Sequence, residues 1–264
     1  MRLAALILPL LLSLASSAAE RQPRVVIDPG HGGAQAGARG TKGLVEKDLA
    51  LQLAQRLQAQ LEAAGVHATL TRTRDADVPL AERVAAANQQ APDLFISLHA
   101  NSMPSRKLRA RTEGLETYFL SASASGEAAR RTAARENEEA PARRRSGGGD
   151  TLSLILEDLV RTEAHVDSSR LAYAVHPRLV AATRAYDRGV QQAPFFVLMG
   201  VEAPAILVEV GFISHPEEGA RLATAAYQER LVGALAQGVV AFLEQNRKRD
   251  AQRPPAPLAR ESGP

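Results

Sequence analysis

Residues 25–33, VVIDPGHGG, contain a strand-like apolar segment that is followed, after a Pro-Gly turn, by a lone histidine. A short apolar run that stops at a Pro-Gly turn is typical of a buried strand, and His31 is the first residue after the turn. The arrangement recurs at residues 94–101, LFISLHAN, where His99 follows a second apolar run. Open α/β sheets build their sites at the carboxyl ends of strands. We therefore expect both imidazoles at one edge of a single sheet.

A third apolar run, residues 205–213 (AILVEVGFI), contains a single carboxylate, Glu209. Burying a carboxylate is costly unless it is paired or has a function. Two interpretations stay open at this point. Glu209 is either one half of a structural salt bridge, or a general base that deprotonates a water molecule activated by a metal.

Strand-like and helix-like segments alternate along the whole chain. Residues 46–64 form the clearest helix, since Leu49, Leu53, Leu57 and Leu61 recur at every fourth position. Further strands are predicted at residues 66–71, 117–120, 195–199 and 205–208, and further helices at 79–87, 168–185 and 227–246. This alternation predicts an α/β, three-layer domain with a largely parallel sheet.

Two local features of the later helices also follow from the sequence. Pro177, directly after His176, is expected to interrupt the helix over residues 168–185, because proline removes a backbone donor. Ser214 and Glu217 have the spacing of a capping box. That spacing predicts Ser214 as the N-cap of the helix that follows.

The composition restricts the chemistry that the chain can perform. None of the 264 residues is cysteine, so a thiolate nucleophile is excluded. Any metal site must use histidines and carboxylates, ligands that suit zinc, although imidazole also binds other transition metals. The net charge of +3 and the pI of about 9.5 are compatible with an anionic polymer partner such as a cell wall, although surface charge alone more often serves solubility. The chain lacks tryptophan, which argues against base stacking, and we expect no nucleic-acid partner.

The two ends of the chain differ in composition from its middle. Residues 1–19 have a positive start, an apolar centre and small residues before a cleavage site after Ala19, which predicts a secretory signal peptide and an exported, periplasmic or secreted protein. The alternative is a membrane anchor, but the apolar stretch is shorter than the roughly 20 residues that a span needs, so we expect no stable membrane span. The catalytic domain is predicted at residues 24–246. Residues 247–264 are predicted to be a disordered tail.

The glycines around His31 let a metal or a substrate approach the backbone closely. A phosphate-binding loop is the alternative, but the third glycine of that motif and a following lysine are missing. Glu46 opens the helix behind this loop. It either complements the helix dipole without a further role or completes a catalytic zinc set of two histidines and one glutamate.

Five segments together resemble the zinc-dependent N-acetylmuramoyl-L-alanine amidases of the cell-separation type. They are IDPGHGG (27–33), EKD (46–48), TR with Asp75 (71–75), SLHAN (97–101) and VEVGFIS (208–214), and the resemblance covers residues 24–244. It implies that His31, Glu46 and His99 bind zinc and that Glu209 is the catalytic glutamate. The implied substrate is peptidoglycan, cut at the amide between N-acetylmuramic acid and L-alanine of the stem peptide. The implied fold is a twisted, mostly parallel sheet of about six strands flanked by helices.

Residues 121–167 form an insertion that is long for a connection within a compact domain. The plain interpretation is a solvated excursion. Some members of the resembled family carry an insertion that covers the zinc site until an activator protein releases it. The resemblance implies that the insertion of this chain also covers the site and that an activator protein acts on it. The segment 151–165 has an apolar helical face and carboxylates, of which Glu163 is expected to reach the metal as a fourth ligand.

Two other functions are weighed against an amidase. One is a wall-binding protein that kept the fold and lost catalysis, and the presence of the three metal ligands and Glu209 argues against it. The other is a zinc peptidase or deacetylase that acts on a different polymer. The motifs disfavour it, although substrate choice resides in loops.

Overall fold

The computed structural model describes residues 21–138 and 163–252, with the side chain of Glu163 excepted. The predicted signal peptide and most of the predicted helix 151–165 lie outside these residues. The strands are β1 (Arg24–Pro29), β2 (His67–Leu70), β3 (Leu94–Asn101), β4 (Leu115–Leu120), β5 (Asp187–Ala193) and β6 (Ala205–Phe212). The helices are α1 (Glu46–Ala63), α2 (Leu80–Gln89), α3 (Arg106–Arg109), α4 (Glu127–Glu136), α5 (Glu163–Thr183), α6 (Pro216–Leu222) and α7 (Ala225–Gln252), with a short 3-10 helix at Thr41–Gly43. None of the helices in the described ranges is long and apolar enough to cross a bilayer.

The strands form one sheet in the order β2-β1-β3-β6-β4-β5. Every neighbouring pair is parallel except β4 and β6, which are antiparallel. The three-layer α/β fold with a mostly parallel sheet of about six strands is thereby confirmed.

The two faces of the sheet differ in what covers them. Alternate residues such as Val25 and Ile27 face a large core shared with α1, α5 and α7, whereas Val26 faces a smaller core shared with α2 and α4. On the smaller-core face the side chains change from apolar to polar towards the carboxyl ends of β1, β3 and β6. His99 is in register with Glu209, which places both on this face.

Three elements differ from expectation. β5 has the polar sequence DRGVQQA and was not predicted; it forms an edge strand that is mostly half-buried. Residues 195–199, predicted as a strand, form a turn instead, in which Phe195 packs its ring on Tyr118 at 4.9 Å between centroids. α4 lies inside the predicted insertion. It was not foreseen because its buried side chains are small or polar.

Two of the later helices also run further than expected. α5 passes through Pro177 without a break, and His176 beside it is held by Thr117 at 3.0 Å and Asp187 at 2.8 Å. α7 continues to Gln252 rather than Asn246, because Arg249 forms an ion pair with buried Asp167 at 2.6 Å. The predicted tail therefore overlaps the helix, and its remainder, residues 253–264, lies outside the described residues.

The N-cap of α6 is His215, not Ser214. The Nδ1 atom of His215 accepts a hydrogen bond from the amide of Glu218 at 3.2 Å. Ser214 is otherwise engaged, since its hydroxyl accepts from the amide of Met103 at 3.0 Å. The serine therefore ties the chain after β6 to the chain after β3.

Candidate metal centre and active site

Two buried arginines hold the loop that carries His31. Arg83 donates to the carbonyl oxygens of Pro29 at 2.8 Å and His31 at 2.7 Å, and Arg72 donates to that of Gly30 at 2.8 Å. His31 itself has a φ of 57°, a left-handed conformation that is uncommon outside glycine. The arginine contacts stabilise this conformation and fix the direction of the imidazole.

Asp28 lies beneath the same loop and is almost fully buried. It accepts hydrogen bonds from Arg83 at 2.9 Å, Thr71 at 2.5 Å and Ser97 at 2.8 Å. Burial opposes ionisation, but the Arg83 charge and these donors outweigh it and hold the pKa of Asp28 below its usual value. Asp28 is thus a satisfied structural carboxylate.

Four side chains converge at the carboxyl ends of β1 and β3: His31, Glu46, His99 and Glu136. One donor atom from each lies within 4.8 Å of the others. Glu46 Oε1 lies 3.1 Å from His31 Nε2 and 3.1 Å from His99 Nδ1, and Glu136 Oε2 lies 3.1 Å and 2.9 Å from the same two nitrogens. The structure therefore brings together the three predicted ligands and adds Glu136, which the sequence did not suggest.

The donor set fits a divalent metal. Two imidazoles and a carboxylate are a familiar zinc set, and two buried carboxylates that face each other need a positive charge between them. Backbone amides orient Glu46: Ala100 donates to Oε1 at 2.9 Å and Ala38 to Oε2 at 2.6 Å. Such support from surrounding groups is typical of metal-ligating carboxylates.

The protonation of the cluster shows the same demand for a cation. Burial and Glu136 raise the pKa of Glu46, but His31 and His99 outweigh them and lower it to about 2. Burial disfavours the charged imidazole of His99, yet Glu136 and Glu46 raise the pKa of His99 to about 10. The two shifts have opposite directions because carboxylates and imidazoles in this cluster each favour the charged form of the other.

Two glycines make room for the histidines. A Cβ atom on Gly30 would lie 2.4 Å from the ring of His99. A Cβ atom on Gly37 would lie 2.5 Å from both the ring of His31 and the carboxylate of Glu46. The glycine-rich loop thus serves close packing around the cluster.

Glu209 lies beside the cluster on β6 and has no solvent exposure. Neither of its oxygens forms a hydrogen bond with a residue that the structure describes. The guanidinium of Arg135 lies close to it, with Nη2 at 3.6 Å from Oε1. Burial and the charge of Glu136 raise the pKa of Glu209 well above its usual value, against the opposing effect of Arg135. The structural salt bridge expected as the alternative is therefore weak.

The insertion reaches the cluster through α4. Besides its contact with Glu209, Arg135 donates to Glu136 Oε1 at 2.9 Å and to the carbonyl oxygen of Ser102 at 3.2 Å. Glu163, the predicted fourth ligand, is the first residue of α5, and its side chain lies outside what the structure describes, so that assignment stays a prediction. A sequence signal for Glu136 was weak: it consists of the small residues at one-turn spacing that α4 buries.

An open cleft of about 460 Å³ lies on the solvent side of the cluster. Its walls are the glycine-rich loop at residues 35–38 with His31 and Glu46, and the end of α4 with Arg135, Glu136 and Glu138. A cleft of this size accommodates a small organic ligand. One wall therefore comes from the loop after β1 and the start of α1, and the other from the insertion.

Comparisons with known proteins agree with these features. A family described as N-acetylmuramoyl-L-alanine amidase matches residues 25–241. AmiA of Escherichia coli K12, an N-acetylmuramoyl-L-alanine amidase, is 34% identical over 221 residues, which cover 83% of this chain and 75% of AmiA. AmiC of Neisseria meningitidis serogroup B is 31% identical over 225 residues, which cover 84% of this chain and 53% of AmiC.

Solved structures give the same result. The amidase AmiC2 of Nostoc punctiforme has 32% sequence identity and a TM-score of 0.63, over 84% of this chain and 97% of that structure. An N-acetylmuramoyl-L-alanine amidase from Clostridium difficile 630 has 27% identity and a TM-score of 0.65 over the same shares. The chain belongs to the N-acetylmuramoyl-L-alanine amidase family.

Proposed function

We propose that this peptidoglycan amidase is zinc-dependent and hydrolyses the amide between N-acetylmuramic acid and L-alanine of the stem peptide, in cell-wall remodelling and daughter-cell separation. Its family membership supports amidase action on peptidoglycan. The observation that carries the finer proposal is the convergence of His31, Glu46 and His99 beside Glu209, a buried carboxylate without a hydrogen bond to any described residue.

His31, Glu46 and His99 would hold the zinc ion. Zinc bound there supplies a Lewis acid that polarises a carbonyl group and lowers the pKa of water. The chain supports this role by fixing Glu46 through two backbone amides and by anchoring the His31 loop through Arg72 and Arg83.

Glu209 would move the proton. As a carboxylate it accepts a proton from the attacking water as the new C–O bond forms. It then donates that proton to the nitrogen of L-alanine as the C–N bond breaks, so the products are a free lactyl carboxylate and a free amine. Burial and Glu136 raise the pKa of Glu209, which favours its holding the proton between the two steps.

We also propose that the insertion inhibits the enzyme. Glu136 lines the cleft with His31 and Glu46 and places Oε2 beside both imidazoles, as a fourth protein ligand where a catalytic zinc site of three protein ligands leaves room for water or substrate. Arg135 from the same helix turn lies against Glu209. Both catalytic elements are thus covered by α4, and an activator protein would act by drawing α4 away.

The proposal includes export. Peptidoglycan lies outside the cytoplasmic membrane, so the enzyme must reach it, and residues 1–19 supply the expected signal. N-terminal sequencing of the protein recovered from the cell envelope would give Glu20 as the first residue. An uncleaved amino terminus would contradict this part.

The activity is tested with purified, zinc-loaded protein lacking residues 1–19 and with peptidoglycan sacculi. We expect stem peptides with a free N-terminal L-alanine, and none from Glu209→Ala. Release of a different bond's products would overturn the assignment.

Inhibition is tested with the double variant R135A/E136A. It should release stem peptides at least about tenfold faster, because the conformation in which α4 covers the active site loses its contacts with the ligand cluster and Glu209. The matched control is E127A/R130A, which removes an exposed ion pair from the same helix and should leave the rate unchanged. Equal rates for the two variants, at equal zinc content, would argue against inhibition by α4.

A further inference from the structure

The loop that follows β3 carries an unusual concentration of positive charge. Residues 105–111, SRKLRAR, contain Arg106, Lys107, Arg109 and Arg111 and no acidic residue, and all seven are exposed. We call this segment the basic loop. The four cations of the basic loop lie between the end of β3 and the start of β4, at the active-site edge of the sheet.

The charges of the basic loop are not compensated. None of its four cations forms an ion pair with a residue in the described parts of the chain, and Arg109 alone is anchored, through a hydrogen bond to the carbonyl oxygen of Met103 at 2.7 Å. The next acidic residue, Glu113, is paired with Arg221 at 2.9 Å. The neighbouring cation Arg188 is different, because Glu116 neutralises it at 2.6 Å. The loop therefore presents free positive charge to whatever approaches the site.

The position of the loop is fixed relative to the catalytic residues. Its root is the segment after Asn101, where the Met103 amide donates to Ser214 at 3.0 Å and the Ser102 carbonyl accepts from Arg135 at 3.2 Å. Arg135 in turn lies 3.6 Å from Glu209. Ser105 caps the short helix in the loop by accepting from the amide of Leu108 at 3.3 Å. The loop is an ordered feature at the rim of the site.

We propose that the basic loop binds the carboxylates of the stem peptide and so positions the leaving group of the reaction. This inference rests on the proposed function. The two halves of the substrate differ in charge: the N-acetylated sugars are neutral, whereas a stem peptide has carboxylate groups, among them its free C-terminus. A cluster of cations without an ion pair to a described residue, at the active-site edge of the sheet, therefore matches the peptide side, where arginine and lysine form charge-assisted hydrogen bonds.

The test uses the triple variant R106Q/K107Q/R111Q, which keeps Arg109 and its structural contact with Met103. The matched control is R178Q/R184Q/K248Q, which removes three exposed cations from α5, from the residue after it and from near the end of α7. Within the described residues, none of these side chains bonds to another helix or strand. Both variants lose the same net charge. Melting curves of the two should agree, since none of the six side chains is buried.

The primary measurement is cosedimentation of the full mature chain with sacculi freed of secondary polymers, at several salt concentrations. The loop variant should bind about tenfold more weakly and with a shallower salt dependence, whereas the control should bind like the wild type. Sacculi whose carboxylates are converted to amides should reduce wild-type binding to the level of the loop variant. Equal binding by the loop variant and the control, or full wild-type binding to amidated sacculi, would overturn the proposal.

A second arm uses vesicles of phosphatidylcholine and phosphatidylglycerol in a 3:1 ratio, a composition chosen as about one quarter anionic lipid. Wild-type binding to these vesicles that is lost in the loop variant, with binding to sacculi unaffected, would assign the loop to a membrane surface and overturn the proposal. Cosedimentation needs no turnover, so it is separate from the amidase assay. A protein that releases stem peptides yet shows no effect of the loop variant would contradict the loop's role alone.

Discussion

Two buried carboxylates on the same face of the sheet have opposite environments. Asp28 on β1 and Glu209 on β6 are 1% and 0% exposed. Asp28 accepts hydrogen bonds from three side chains, including the guanidinium of Arg83. Glu209 accepts none from the residues that the structure describes. The comparison separates a carboxylate that stabilises the loop above it from one that accepts no hydrogen bond from the described residues, as the proposed proton transfer by Glu209 requires.

The pKa values of these two groups move in opposite directions for this reason. The Arg83 charge lowers the pKa of Asp28 despite burial, whereas burial and Glu136 raise the pKa of Glu209. Unsatisfied buried polar groups are rare in native proteins and are concentrated at functional sites. Three predictions test this difference.

The largest effect is expected at Glu209. Replacing it with Gln keeps the volume but removes the proton carrier, so stem-peptide release should fall by about 10²- to 10⁴-fold. Urea unfolding should show no loss of stability, because the amide removes a buried carboxylate that accepts no hydrogen bond from the described residues. A loss of stability comparable to that expected at Asp28 would mean that Glu209 is structural as well.

Asp28→Ala should mainly destabilise the protein. Removing one member of a buried ion pair typically costs about 3–5 kcal/mol, and Arg83 would be left without its carboxylate. Urea unfolding of Asp28→Ala, Arg83→Met and the double variant measures the pair. Additive losses in the double variant would show that the two residues act independently.

The smallest effect is the pH dependence of the same pair, measured with Asp28→Asn. Because the pKa of Asp28 is lowered on folding, its stabilising contribution is complete above the unfolded value of about 3.9 and is lost as the pH falls through the folded pKa. The stability difference between wild type and Asp28→Asn, about 1–3 kcal/mol at neutral pH, should therefore shrink below about pH 4. A difference that stays constant from pH 6 to pH 3 would rule out the charged form as its source.

The sheet was largely predictable from the sequence, and so was the convergence of the polar residues at its edge. Each apolar run before His31, His99 and Glu209 predicts a strand that is followed by a polar residue. Because parallel strands bring their carboxyl ends to one edge of the sheet, these polar residues were expected to lie together. Glu46 needed the resemblance as well, since a glutamate in the first turn of a helix has an ordinary explanation.

Features that depend on tertiary packing were not predictable in this way. α4 buries Ala129, Thr132, Ala133 and Glu136, a set without the large apolar residues that reveal a helix face. β5 lacks an apolar run because it is an edge strand. The positions of Arg135 and Glu136 follow only from how α4 packs against the ends of β3 and β6, which local sequence does not encode.

The parallel pairing of β4 with β5 at the border of the sheet has a consequence for how this family can change. Two adjacent parallel strands must be joined by a connection that runs back along the full length of the strands. The fold therefore contains a long crossover between Leu120 and Asp187. Doubling the length of such a loop costs only about 0.6 kcal/mol of closure entropy. New segments can thus be gained or discarded here with almost no penalty in folding, which makes this crossover a place where control of the enzyme can evolve while the catalytic strands stay unaltered.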